Sequence, residues 1–155
     1  VATFVAFDLF VTDMAEQVHD FSATGDQLRV ALTNTLPVVT NTLLTNITEI
    51  AYTNLLGDPT SRDPVIASGT GQSPAGTHLY ILEGQGGAAS DLVLTASGGP
   101  VAGFRWVVHF NLATVAKADP LIQFYDHGSV VNLADGETFT IDYNSALGFF
   151  TLTST

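Results

Sequence analysis

Four histidines and a C-terminal group of carboxylates are the side chains of this chain best suited to chemistry. His19, His78, His109 and His127 are the candidate metal ligands. No two of them have the i, i+4 helical spacing by which a zincin brings two imidazoles to one metal. His109, Asp126 and His127 would approach one another if their two strands paired. Adjacent Asp126 and His127 project to opposite faces, however, so His109, Asp126 and His127 read as outer-face polar residues of a sheet. Asp135, Glu137 and Asp142 are near enough in sequence to suggest the acid and base of a glycosidase. Asp135-Gly136 fits a turn before a strand better. Asp142 falls on one strand face with Thr138 and Thr140, the pattern of a solvated surface.

Other motifs are no stronger. The chain has no Gly-x-Ser-x-Gly elbow. Gly84-Gln85-Gly86-Gly87 lacks the helix and lysine of a phosphate-binding loop. Asp58–Asp63 lacks the ligand spacing of a calcium loop. Asn46-Ile47-Thr48 is a formal glycosylation sequon, a triplet that arises by chance in a chain rich in Thr and Asn. The expectation is therefore no catalytic residue, no metal, no cofactor and no small-molecule substrate: a protein that is not an enzyme. Tyr80, Tyr125 and Trp106 could make a sugar-stacking platform, which keeps a carbohydrate-binding module as an alternative. Trp106 is in register with Phe104 and Phe110 and reads as core. Tyr80 and Tyr125 have the opposite parity from the core residues of their strands and are expected to face a partner protein.

Charge narrows the classes further. Acidic residues number 15 against four cations, Arg29, Arg62, Arg105 and Lys117, for a net charge of −11. So few cations cannot form the basic patch that nucleic acid requires, and they disfavour an anionic membrane surface. No apolar run reaches the length of a membrane-spanning helix. There is no cysteine, so disulfides and thiolate metal sites are excluded. Apolar residues make up 46% of the chain, charged residues only 12%, and Thr occurs 20 times. Soluble monomers present a surface roughly a quarter to a third charged. A surface as neutral as this one suggests that neighbouring subunits cover much of it.

The elements expected to position these side chains are mostly strands. A length of 155 residues suits one domain, read here as a single β-rich unit over 1–155. Residues 1–21 read as an apolar N-terminal arm with Phe4, Phe7 and Phe10, followed by a short helix near Asp13–Phe21. The Asp13-to-Glu16 spacing imitates a capping box there. The arm is expected to be a contact surface whose removal leaves the β-domain folded. Gln27–Asn34 alternates with Leu28, Val30 and Leu32 inward. Thr35–Leu56 reads as a long covering segment with one helical turn around Ile47–Ala51. Gly57–Gly76 is rich in proline and glycine and reads as loop, with one short extended piece at Val65–Ala67. His78–Glu83 and Asp91–Ala96 read as a strand and its return strand. Phe104–Leu112 is the strongest strand, with Phe104, Trp106, Val108 and Phe110 on one face and Pro120–His127 as its antiparallel partner. Ser129–Leu133 follows. Thr138–Tyr143 and Leu147–Leu152 then read as strand, turn, strand. The fold class expected is mainly β: an antiparallel β-sandwich or jelly-roll-like domain with a short helix near the N-terminus.

The ordered stretches FDLFVTDMAEQVHDF (7–21), LRVALTNTLP (28–37), ITEIA (47–51), FRWVVHFN (104–111), DPLIQFYDHGS (119–129) and LADGETFTID (133–142) resemble small structural proteins of tailed bacteriophage virions. Among these the chain is most similar to head decoration, or cement, proteins. Tail-tube and other tail structural proteins are the alternative within that group. The resemblance implies a β-rich homo-oligomer on the exterior of the particle. Its implied partners are the major capsid protein and copies of itself.

Overall fold

The two longest β-forming stretches, Val101–Leu112 and Leu121–Leu133, become the two longest strands. Both are rich in β-branched and aromatic residues, which fit a pleated, buried surface. The computed structural model describes residues 4–20, 26–56, 66–68, 77–80, 82–84, 92–112, 116–142 and 150–153. In chain order the elements are β1 (Phe4–Ala6), α1 (Phe10–Ala15), β2 (Gln27–Thr33), a 3-10 turn (Leu44–Asn46), β3 (Leu55–Leu56), β4 (Ile66–Ser68), β5 (Thr77–Tyr80), β6 (Leu82–Gly84), β7 (Leu92–Ala96), β8 (Val101–Leu112), β9 (Leu121–Leu133), β10 (Thr138–Ile141) and β11 (Phe150–Thr153).

A six-stranded sheet runs β1-β9-β8-β2-β4-β6, a three-stranded sheet runs β10-β7-β3, and β11 pairs with β5. Each of these pairings is antiparallel. One face of the six-stranded sheet supplies Leu28, Val30, Leu32, Phe104, Val107 and Ile122. These meet Leu92, Leu94 and Ala96 of β7, Leu55 of β3 and Ile141 of β10. The protein is thus mainly β and sandwich-like. The other face of the larger sheet is buried too. Ala31, Trp106, Val108, Phe110, Leu121 and Phe124 lie there beneath Phe7, Leu44 and Ile47. The segment between β2 and β3 is therefore the covering piece that its composition suggests. Its helical turn falls at Leu44–Asn46 rather than Ile47–Ala51, because Asn46 Oδ1 accepts the backbone N–H groups of Thr42 and Leu43 and fixes the turn early.

Several expectations are corrected. Phe104 does not share a face with Trp106, Val108 and Phe110. Phe104 lies opposite Val131 but Trp106 lies opposite Asp126, so β9 carries extra residues at this point, and Phe104 joins the sandwich core. Thr138–Ile141 does not form a hairpin with the final strand: β10 pairs with β7, and β11 pairs with β5. His78–Glu83 is two strands with different partners, and β7 is the return strand of neither. Helix α1 begins three residues before Asp13, with Leu9 at its N-cap and no side-chain cap. Asp13 is inside the helix and buried, so it forms no capping box. The turn expected at Asp135-Gly136 is present, with Gly136 at φ 87°, a conformation that favours glycine. The turns expected at Gln85–Gly87 and Asn144–Ala146, and most of Gly57–Gly76, lie outside the described residues.

The N-terminal arm is also docked into the fold rather than held out as a free contact surface. Phe4–Ala6 pairs with Gln123–Tyr125 at the sheet edge, and the Phe7 N–H donates to Ile122 O at 3.0 Å. Phe7 is 2% exposed and Phe10 6%. They enter different core clusters, so the arm grips the β9 edge from both faces. Phe7→Ala should cost roughly 3–5 kcal/mol of stability, the range for emptying a buried aromatic site. Urea unfolding of the variant checks this, and removal of residues 1–11 should cost more than that single substitution.

Candidate functional site

The residues with chemical potential are dispersed by the fold into structural roles. Asp126 is on the exposed part of β9. Arg105 Nε and Nη2 donate to its two carboxylate oxygens at 2.8 and 2.9 Å, and the Gly128 N–H donates at 2.7 Å. These hydrogen bonds, that from Arg105 first, hold the Asp126 carboxyl down at about 2. Arg105 is raised by the same bond and lies 4.9 Å from the centre of the Trp106 ring. Asp135 accepts the Gly98 N–H and Glu137 accepts the Ala134 N–H, so both carboxylates fasten the turn before β10. Asp142 is exposed at the end of β10. His127 is exposed and edge-on to Phe139. His78 is on β5 beside β11, and nothing is described of its side chain. Asp58–Asp63 lies outside the described residues. Among the described residues no group of three or more His, Cys, Asp or Glu could hold a metal ion.

The expected contact residues separate in the same way. Phe7 and Phe10 are core, so they cannot form a contact surface while the arm is docked. Phe4 is 37% exposed and stacks on Tyr125 at 5.5 Å between ring centres. Tyr125 is half-buried because the chain's own β1 covers it. Tyr80 is on β5, and its side chain lies outside what is described.

Sequence reasoning missed a buried polar seam between the arm and the sheet. It assigned His109 to a solvated face, but His109 is fully buried and its ring is 5.5 Å from Phe4. Burial drives its pKa down to about 3. Asn111, two residues along the same face, is also fully buried. Its Nδ2 donates to Asp26 Oδ2 at 2.7 Å and faces His19 Nδ1 at 2.9 Å. His19 is lowered, first by burial and then by Lys117, against the raising influence of Asp13 and Asp26. Lys117 Nζ donates to both oxygens of Asp13, at 2.8 and 2.9 Å. A signal was present in the sequence: His109 and Asn111 have the parity of Val107 in a strand whose other face is wholly apolar.

Most of the exposed apolar residues described fall in two regions. The Asp8 N–H donates to Val39 O at 2.9 Å, which brings the loop with Leu36, Val38 and Val39 beside Leu9 and Val11. Val11 is 70% exposed and Leu36 61%. The second is the outer face of the small sheet, where Leu56, Thr95 and Thr138 share a row and Val93 faces Thr140. No family model, curated protein or solved structure matches this chain.

Lys117→Met should leave the Asp13 carboxylate buried without its cation. The expected cost is about 3 kcal/mol, the low end for a broken buried pair because Lys117 is itself partly exposed. Adding Asp13→Leu should recover most of it. A double-mutant cycle by urea unfolding reads both values.

Proposed function

We propose that this chain is a structural protein of a tailed-bacteriophage virion, a head decoration protein that holds the capsid lattice through many repeated contacts. The resemblance of its ordered sequence stretches to that group is the starting point. The observation that carries the reading furthest is the group of exposed apolar residues Leu9, Val11, Leu36, Val38 and Val39, with Asp8 beside them, on a chain of net charge −11. Monomeric proteins seldom leave a contiguous apolar area of that kind to water unless a partner covers it. The partners are the major capsid protein and further copies of this chain.

The chemistry of the described surface agrees with a binding role. Arg105 and Lys117 are each engaged by a carboxylate, and Arg29 is buried. The Tyr125 ring, which a sugar would need, stacks on Phe4. In the proposed mechanism the protein binds across capsomer boundaries of the expanded head. Binding one state of a lattice and not the other stabilises it by mass action. A stable contact buries about 1,600 Å² in total, and symmetry repeats it over the shell. Internal DNA pressure must then break those contacts before the lattice can open.

Density for this chain should lie on the icosahedral shell of a purified particle imaged by electron cryomicroscopy. A helical stack along the tail would replace this reading with a tail-tube protein. Val11→Asp combined with Val38→Asp should lower occupancy on heads at least tenfold. Folding stability should change by only about 0.5 kcal/mol per site, since both residues are exposed.

A further inference from the structure

The arm from Phe4 to Asp20 carries one histidine, His19, and covers another, His109 of β8. The His109 ring is 5.5 Å from Phe4, and the His19 ring is 5.6 Å from Phe10. Asn111 dictates the protonation state of His19. Its Nδ2 carries two hydrogens, one directed at Asp26 Oδ2 and one at His19 Nδ1. The carboxylate fixes the orientation of the amide, because a reversed Asn111 would press its oxygen against an Asp26 oxygen. His19 Nδ1 must then be an acceptor, and the neutral ring carries its proton on Nε2. A proton added at Nδ1 would oppose the Asn111 N–H, donor against donor.

The groups around each ring come from several elements. His19 faces Asp13 of α1, Asp26 just before β2, Asn111 of β8 and Lys117 of the β8–β9 connection. His109 has Val30 of β2 and Gln123 of β9 as its neighbours across the sheet, with Phe4 of β1 above it. Phe4 and Phe10 belong to the arm, while Asn111, Asp26 and His109 belong to the sheet or its approach. The arm can therefore leave without unpairing β2, β8 and β9.

We infer that the arm is an acid-released strap: docked, with its own His19 against Asn111 and its Phe4 over His109, while both histidines are neutral, and freed from the β9 edge when they take up protons. The sign follows from burial. Both histidines bind a proton less readily in the folded chain, with burial the first cause for each, and the docked arm supplies part of that burial through Phe4 and Phe10. Docking is thus fully stable above the ordinary histidine value of about 6.5. Below it, docking weakens by up to about tenfold per pH unit for each histidine, until the docked value is reached. This inference is independent of the virion reading.

Hydrogen exchange on the full chain at about pH 7.5 and about pH 5, on either side of the free histidine value, tests it. After correction for intrinsic rates, protection of the Phe7 amide and of the α1 amides should fall at least tenfold at the lower pH. Amides of β2 and β8 should keep theirs. Fluorescence of Trp106, the only tryptophan and a neighbour of Phe7 in one core cluster, should shift over the same range. His19→Gln together with His109→Gln should remove the pH dependence. Arm protection that ignores pH, loss of arm and β8 protection together, or full pH dependence in the double variant would each overturn the strap. Where the variant does not fold, proton titration of His19 in the unaltered chain by NMR decides. A value below 6.5 supports the strap, and one at or above it defeats the strap.

Discussion

Strand β8 has a neighbour on each side and a buried surface on each face, and a strand so placed needs two covering layers. Its pairings with β9 and β2 satisfy the backbone. Val107 and Phe104 face the small sheet, while Trp106, Val108 and Phe110 face the other way. The residues that cover that reverse side in the described core come from outside the sheets. The chain lays Leu44 and Ile47 over it from the β2–β3 connection, and Phe7 from the N-terminal arm. The long connection and the apolar arm are both consequences of burying one strand twice.

What the sequence made legible follows from period two. Leu28, Val30 and Leu32 point inward as their alternation requires, and β8 pairs with β9 as two neighbouring apolar runs should. Alternation is blind to irregularities in register, so it placed Phe104 on the wrong face. It is also blind to partner choice. The two C-terminal strands are close in sequence and separated by turn-forming residues, yet each finds an edge elsewhere, since β7 and β5 offer unpaired backbone. Asp13 mimicked a capping residue because its spacing to Glu16 is a local signal. The tertiary partner Lys117, over a hundred residues away, leaves no such mark. The polar seam was obscured for the same reason: His109 and Asn111 alternate as residues of a solvated face would, and the arm and Asp26 that meet them are distant in sequence.

The polar groups are arranged unevenly between the layers. The interface between the two sheets is lined by aliphatic and aromatic side chains. The buried histidines, Asn111 and the Asp13–Lys117 pair gather instead where the arm meets the sheet. Burying such groups is costly unless each is matched, and matching fixes geometry more sharply than it adds stability. A greasy arm could settle on the β9 edge in more than one register. An arm held by Asp13 to Lys117, and followed by His19 against Asn111, can settle in one.

The arm also alters how the neutral composition should be understood. Phe4, Phe7 and Phe10 looked like an apolar tongue offered to a neighbour. Two of the three rings are interior, and the third stacks on Tyr125, so the aromatic content of the N-terminus is explained by the fold itself. The aliphatic residues of the same region are different. Leu9, Val11, Leu36 and Val38 remain exposed to water, and Leu9 and Val11 are carried on the very segment that the polar seam holds in place. A contact surface built on an arm has a fixed shape only while the arm is docked. Under the proposed binding role, the polar fastening beneath it and the exposed aliphatic residues above it would be parts of one arrangement, in which the first keeps the second in a form that a partner can match.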